Sequence, residues 1–235
     1  MVASILPLTL KDATVRKGGK TIIGPMSDPT GFTIFMGPNG SGKTTLLRLM
    51  HGLEHPRGGS VTWQLPAAQA RTRQAFVFQT PVMMRRTVVE NIAYPLRVRG
   101  EAKNRTLAQA AKWAEIIGLG NALEQNAEVL SGGEKQKLAV ARALIVQPEV
   151  LFLDEPTANL DGKATREIEG ILLAAQADGV RILMATHHLG QARRLASDII
   201  FLYQGQVHER ATAEAFFNTP KTPESKSFLS GDIVE

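Results

Sequence analysis

The sequence predicts an α/β protein built around a largely parallel sheet, and three observations carry that prediction. Short, nearly continuous apolar runs recur along the 235-residue chain: Phe32–Met36 (FTIFM), Val150–Leu153 (VLFL) and Ile182–Thr186 (ILMAT). Runs unbroken by polar residues suit strands covered on both faces, as in a parallel sheet flanked by helices. Helical patterns stand between the runs, and strand-then-helix alternation is the signature of α/β folds. A glycine-rich turn, GPNGSGKTT at Gly37–Thr45, joins the first run to the first helix.

Along the chain, TTLLRLMHGL reads as the helix after Phe32–Met36, and RQAFVFQ at Arg73–Gln79 is a weaker strand candidate. Between Thr87 and Val146 there is no strand candidate. The segments TVVENIAYPLRV, TLAQAAKWAEIIGL and GGEKQKLAVARALIV all read as helices. That shift marks a helical insert of about residues 81–145 in an α/β body formed by residues 1–80 and 146–235. GKATREIEGILLAAQADG follows Val150–Leu153 as a helix closed by Gly179. Beyond Ala213 a helix is expected at AEAFF, followed by a polar TPKTPESK stretch.

Composition narrows the classes. The chain is 43% hydrophobic and 21% charged, ordinary for a globular protein with a core. It has no cysteine, which excludes a disulfide framework and thiolate metal sites and suits a reducing cytosol. The N-terminal MVASILPLTLKD lacks a basic lead-in and is broken by Pro7, so it does not read as a secretory signal. No apolar run approaches the roughly 18–20 residues needed to span a bilayer. The net charge of +5 suits anionic partners in general, but the basic residues are scattered, and solvated surface charge reads equally well.

Gly37-Pro38-Asn39-Gly40-Ser41-Gly42-Lys43-Thr44, continued by Thr45, matches G-x-x-x-x-G-K-[ST] between a strand and a helix. Glycines let backbone N–H groups converge on phosphates without Cβ clashes, and the helix N-terminus adds its dipole. Lys43 is expected to neutralise β- and γ-phosphate charge, and the Thr44 hydroxyl to ligate Mg²⁺. A glycine-rich βα turn without a ligand is the bland alternative. VLFL runs into Asp154-Glu155, where one carboxylate can hold Mg²⁺ and the next can orient the attacking water. An acidic strand end that merely caps the next turn is the competing explanation. Cradle and carboxylates together predict a P-loop nucleotide triphosphatase fold without separating kinases, GTPases, helicases and transport ATPases.

Further motifs separate them. Gln79 sits in FVFQTP, LSGGEKQK spans Leu130–Lys137, Ala158-Asn159-Leu160-Asp161 follows FLDEPT, and His187 lies in THH. In this order the motifs resemble those of the ATP-binding cassette (ABC) family, over nearly the whole chain. The resemblance implies a RecA-like cassette with a helical subdomain insert and a small N-terminal antiparallel β region. It also implies that two cassettes pack head to tail around two ATP molecules, the cradle of one facing the LSGGE of the other. Ser131, Gly132, Gly133 and Glu134 would then touch the nucleotide of a second copy or of a paralogue, a homodimer being the simpler reading, with Asn159 and Asp161 at the dimer interface. Physically, Ser131-Gly-Gly is a second anion-binding helix start, and read alone it is a capped helix end; Glu134 is the part a simple nest does not need. The implied chemistry is ATP hydrolysis. Glu155 would be the base, Lys43 and His187 would stabilise charge, and Thr44, Gln79 and Asp154 would hold Mg²⁺.

The chain departs from the family pattern in three places. The adenine-stacking aromatic expected in the first hairpin falls near Lys17; Arg16 is the substitute candidate through guanidinium stacking, and weaker base selectivity is the alternative. The stretch from Ile23 to Phe32 is short for the family's strand pair. His188 replaces an aspartate after the switch histidine and reads as a surface histidine.

With the family core ending near residue 235, the expectation is a separate permease in the membrane, with the chain on its cytoplasmic face. FQTPVMMRRTVVENIAYPLRVRG resembles bacterial importers, and Pro81, Met83, Met84 and the residues to Val88 would meet a coupling helix of the permease. The methionine pair reads equally as core packing, and Arg85 and Arg86 as solvated. The likeness of the whole chain favours an oxyanion importer for tungstate, molybdate or phosphate, with tungstate preferred. A periplasmic or surface substrate-binding protein would be an indirect partner, and no nucleic acid is expected. The alternative is a cassette ATPase of DNA repair, iron–sulfur assembly or translation, which would carry coiled-coil inserts or fused cassettes. A small-molecule P-loop kinase would need a lid in place of LSGGE.

Overall fold

The computed structural model describes residues 4–17, 20–27 and 31–232, with side chains described for 4–15 and 31–232. Its strands are β1 (Leu8–Lys17), β2 (Lys20–Ser27), β3 (Phe32–Met36), β4 (Gly58–Trp63), β5 (Gln74–Val77), β6 (Val150–Asp154), β7 (Arg181–Ala185), β8 (Asp198–Tyr203) and β9 (Gln206–Thr212). The helices are α1 (Lys43–His51), α2 (Ala67–Thr72), α3 (Val88–Val98), α4 (Lys103–Ile116), α5 (Gly132–Leu144), α6 (Gly162–Ala177), α7 (Leu189–Leu195), α8 (Ala213–Asn218) and α9 (Pro223–Ser230).

Among the described residues the strands form one sheet in the order β4-β1-β2-β9-β8-β3-β7-β6-β5. The half from β8 to β5 is parallel, as its apolar runs require. β3 and β6 are buried at every position. Their side chains alternate between two cores. Phe32, Ile34, Met36, Leu151, Leu153, Ile182 and Met184 face one, beneath α5 and α6. Phe35, Val150, Phe152, Leu183 and Ala185 face the other, beneath α1. Period-two alternation with apolar residues at both phases makes a strand read as a continuous apolar run. The other half begins with β1 antiparallel to β2 and β4. β2 meets the β8–β9 hairpin through the parallel pair Ile23↔Gln206.

Helices α3, α4 and α5 bury a third cluster of their own, including Ile92, Leu96, Ala110, Ala114, Leu138 and Ala141. A Thr87–Glu90 capping box opens α3. Gly179, at φ 94°, follows the end of α6 as the sequence predicts.

Six elements correct the sequence reading, among them helices α2 and α7, which it did not include. β4, β8 and β9 are strands it did not anticipate, and the TPKTPESK stretch is not simply polar, because Thr222 caps α9 with Pro223 in its first turn.

Parallel register positions the site. Phe35 and Asp154 both pair with Ala185, so β3, β6 and β7 end at one level. The loops leaving them converge at the carboxyl edge, where open α/β sheets bind ligands.

Candidate nucleotide site and an apolar groove

The cradle begins at Gly37, whose φ is 144° and where an added Cβ would lie 2.1 Å from the Leu202 carbonyl. No side chain fits there. Gly42, at φ 103°, is the N-cap of α1, so the turn delivers the helix N-terminus into the cleft. Lys43 is buried and donates to the carbonyls of Gly37 (2.8 Å) and Pro38 (3.0 Å). Burial lowers its pKa, against the pull of Glu155 and Asp154. The ammonium is held beneath its own loop, partly desolvated.

Asp154 ends β6, and its Oδ1 accepts a 2.7 Å hydrogen bond from the Thr44 hydroxyl. Burial pushes its carboxyl above the usual range, although the Thr44 bond and the charges of Arg48 and Lys43 oppose that. Glu155 adopts a left-handed φ of 46°, and its N–H donates to the Ala185 carbonyl of β7 at 3.0 Å. The turn thereby carries its carboxylate to His187, with Oε2 3.1 Å from Nδ1.

A cleft of about 510 Å³ is lined by Asn39, Gly40, Gly42, Lys43, Thr44 and Thr45 of the predicted cradle, together with Gln79, Glu155 and His187. Gly37 and Pro38 serve it through the carbonyls that hold Lys43, Ser41 is buried behind it, and Asp154 joins through Thr44. The side chain of Arg16 lies outside the described residues. Ala158 and Gly205 also line the cleft, and neither was foreseen. Gly205 comes from the β8–β9 turn and donates to the Ser41 carbonyl at 3.1 Å.

The residues Ser131 to Glu134 line a different hollow of about 530 Å³, with Asn159, Asp161, Lys137 and Lys163. Asn159, at φ 63°, borders both. Glu134 has a definite local role: its Oε2 accepts from the Ser131 N–H at 2.9 Å and hydroxyl at 2.7 Å, and the Glu134 N–H donates back at 3.3 Å. This is a capping box, and those bonds hold the Glu134 carboxyl below its ordinary range. Asp161 caps α6 by accepting from the Ala164 N–H at 2.8 Å. His188 begins α7, with its ring 4.3 Å from that of His187, centroid to centroid.

A groove of about 680 Å³ runs along edge strand β5 and α3, lined by Phe78, Pro81, Val82, Met84, Tyr94 and Val98 among others. Val82 is 75% exposed and Val98 67%. The methionine pair divides: Met84 lines the groove, whereas Met83 packs into the cores. Arg85 is 3.5 Å from Glu128, and Arg86 lies over the Tyr94 ring.

A phosphate cradle at the carboxyl edge of a parallel sheet, faced by an Asp-Glu strand end, defines a P-loop nucleotide triphosphatase. The family is now explicit: a model described as ABC transporter matches residues 28–158, and the chain belongs to that family. It is 37% identical over 220 residues to the phosphate import ATP-binding protein PstB 2 of Natronomonas pharaonis, covering 85% of this chain and 76% of that one. It is 36% identical over 217 residues to the tungstate uptake system ATP-binding protein TupC of Peptoclostridium acidaminophilum, covering 90% and 100%. Among solved structures, a dimeric ATP-binding cassette in a post-hydrolysis state, bound to ADP and Pi, superposes with a TM-score of 0.76 at 28% identity, over 88% of this chain and 98% of that one. The fold is that of an ABC cassette, and the chain is an ATPase.

Proposed function

We propose that two copies of this chain close head to tail around two ATP molecules and energise import through a separate membrane permease. One observation carries the reading. Ser131, Gly132, Gly133 and Glu134 line a hollow apart from the cradle, so one chain offers two half-sites. A second copy would bring its signature to this cradle, across Asn159 and Asp161.

In that assembly Glu155 takes the proton of the attacking water as its oxygen bonds to the γ-phosphorus. The bond to the β-phosphate oxygen breaks, and ADP and Pi leave. Lys43 and His187 stabilise charge on the phosphate oxygens. Thr44 and Asp154 offer two hard oxygens side by side, with Gln79 lining the same cleft. That set suits Mg²⁺, which is held by one or two protein oxygens plus phosphates and waters. Bound there, the cation would neutralise charge developing on the transferred phosphoryl group.

The body at residues 1–80 and 146–235 and a helical subdomain at 81–145 are part of the proposal, supported by the separate core of α3, α4 and α5. The apolar groove is the surface we offer to the permease, with the chain on the cytoplasmic face of the membrane. Among the described residues no helix is long and apolar enough to cross a membrane itself. The cargo we favour is an oxyanion, tungstate first, delivered to the permease by a substrate-binding protein. Likeness to phosphate and tungstate relatives supports this.

The test is Glu155→Gln. The variant should bind ATP, hydrolyse it at least about a hundredfold more slowly, and elute as a dimer when ATP is present. Normal turnover would remove Glu155 as the base, and a monomer at saturating ATP would remove the sandwich.

A further inference from the structure

Beyond the cleft, a buried chain of polar groups joins the two loops that carry Glu155 and His187. Thr157, two residues after Glu155, is 5% exposed, Gln191, four residues after His187, is 3%, and Glu169 of α6 is 5%. The Gln191 amide meets the Thr157 hydroxyl twice: Nε2 donates to Oγ1 at 2.9 Å, and Oγ1 donates to Oε1 at 3.2 Å. The same Nε2 donates to Glu169 Oε1 at 3.2 Å. Arg194 grips Glu169 with two bonds, Nη2 to Oε1 at 2.7 Å and Nε to Oε2 at 3.0 Å.

The chain therefore runs from the turn after β6, through α7, to α6 and the protein surface. Its place matters because Glu155 is held in left-handed backbone, which persists only where the surroundings over-determine it. The Ala158 N–H bonds back to the Glu155 carbonyl at 3.1 Å, so Thr157 lies inside the tight turn that Glu155 opens. Gln191 lies one helical turn beyond His187, on the helix that His188 begins. A hydrogen-bonded Thr157–Gln191 pair thus fixes the spacing of the two loops, and with it the 3.1 Å contact between Glu155 and His187.

We infer that Gln191 and Thr157 are positioning residues for hydrolysis, anchored by Glu169 and Arg194, which hold Glu155 and His187 in register without touching nucleotide. The inference rests on Glu155 and His187 acting as proposed above. A displacement of about an ångström in such a site costs on the order of a hundredfold in rate.

Steady-state hydrolysis by the full chain, with ATP binding measured separately, tests it. Thr157→Val and Gln191→Met keep volume and remove the hydrogen bonds. Each should lower kcat by about tenfold to a hundredfold, leave KM and the affinity for ATP within about twofold, and keep the wild-type fold by circular dichroism. Thr157→Ser, which restores the hydroxyl, should recover kcat to within about threefold. Wild-type kcat in folded Thr157→Val and Gln191→Met would overturn the inference, as would a loss that Thr157→Ser fails to rescue. Glu155→Gln measured alongside separates the two failures. An inactive Glu155→Gln beside unimpaired Gln191→Met sinks the positioning role alone, whereas an active Glu155→Gln sinks the reading of the site.

Discussion

His51 shows how strongly one half-buried side chain is set by its surroundings. It packs edge-on against Phe76 and Phe152, and its Nδ1 is buried without a hydrogen-bond partner. Burial, helped by the nearby charge of Arg71, pushes its pKa down from 6.5 to about 4. The folded state thus binds the proton less readily than the unfolded chain does, so this residue favours folding at neutral pH. That contribution fades as pH falls from about 6.5 towards 4, and is worth on the order of 3 kcal/mol across the window. His51→Phe should therefore lose less stability than the parent over that window in denaturant melts. Equal slopes for the two proteins would show that His51 does not titrate as its surroundings dictate.

At the scale of the element, the start of α5 is the informative piece. Ser131→Ala removes the hydroxyl that caps the Glu134 N–H and should cost about 1 kcal/mol of stability. Because Glu134 is held below its ordinary pKa, the capping contribution is present above the carboxylate range and is lost as the pH falls through it. The gap between Ser131→Ala and parent should narrow in acid, and a gap constant with pH would mean that the box does not form. The sequence showed this element as a helix start, but not that Glu134 spends its carboxylate on the cap. Legibility elsewhere follows burial. β3, β6 and β7 were readable because both faces are covered. β8, with IIFLY, carries a similar apolar run, yet it follows QARRLAS so closely that periodicity does not separate it from α7. β4 is an edge strand, half in water, with two glycines in six residues, and leaves no such trace. In the site, the cradle, Asp154, Glu155, Gln79 and His187 were legible because each lies in or beside a local motif. Gly205 was not, because it reaches the cleft only through a contact distant in sequence, and the Thr157–Gln191 pairing was not, because it joins residues far apart in the chain.

For the whole molecule, the proposed link between hydrolysis and the permease is the groove beside β5. Val82 is exposed at its rim, and Asp at that position would force a charge against the apolar surface proposed to meet the permease. Val82→Asp should leave the ATPase rate of the isolated chain within about twofold and lower cellular uptake of the proposed cargo, tungstate, roughly tenfold or more. Undiminished uptake would remove the groove as the permease contact. If the chain supports uptake of amino acids and not of tungstate, the oxyanion assignment falls while the importer stands.

The position of Asn159, bordering both the cleft and the signature hollow, has a practical use. The chain contains no cysteine, so a single engineered thiol would be its sole labelling point. Ala158 lines the cleft immediately before Asn159 and avoids the left-handed backbone of its neighbour. A fluorophore on Ala158→Cys would sit at the proposed seam, between the nucleotide cleft and the face offered to a second copy. Titrated with ATP at rising protein concentration, its emission would resolve loading from pairing in one cuvette.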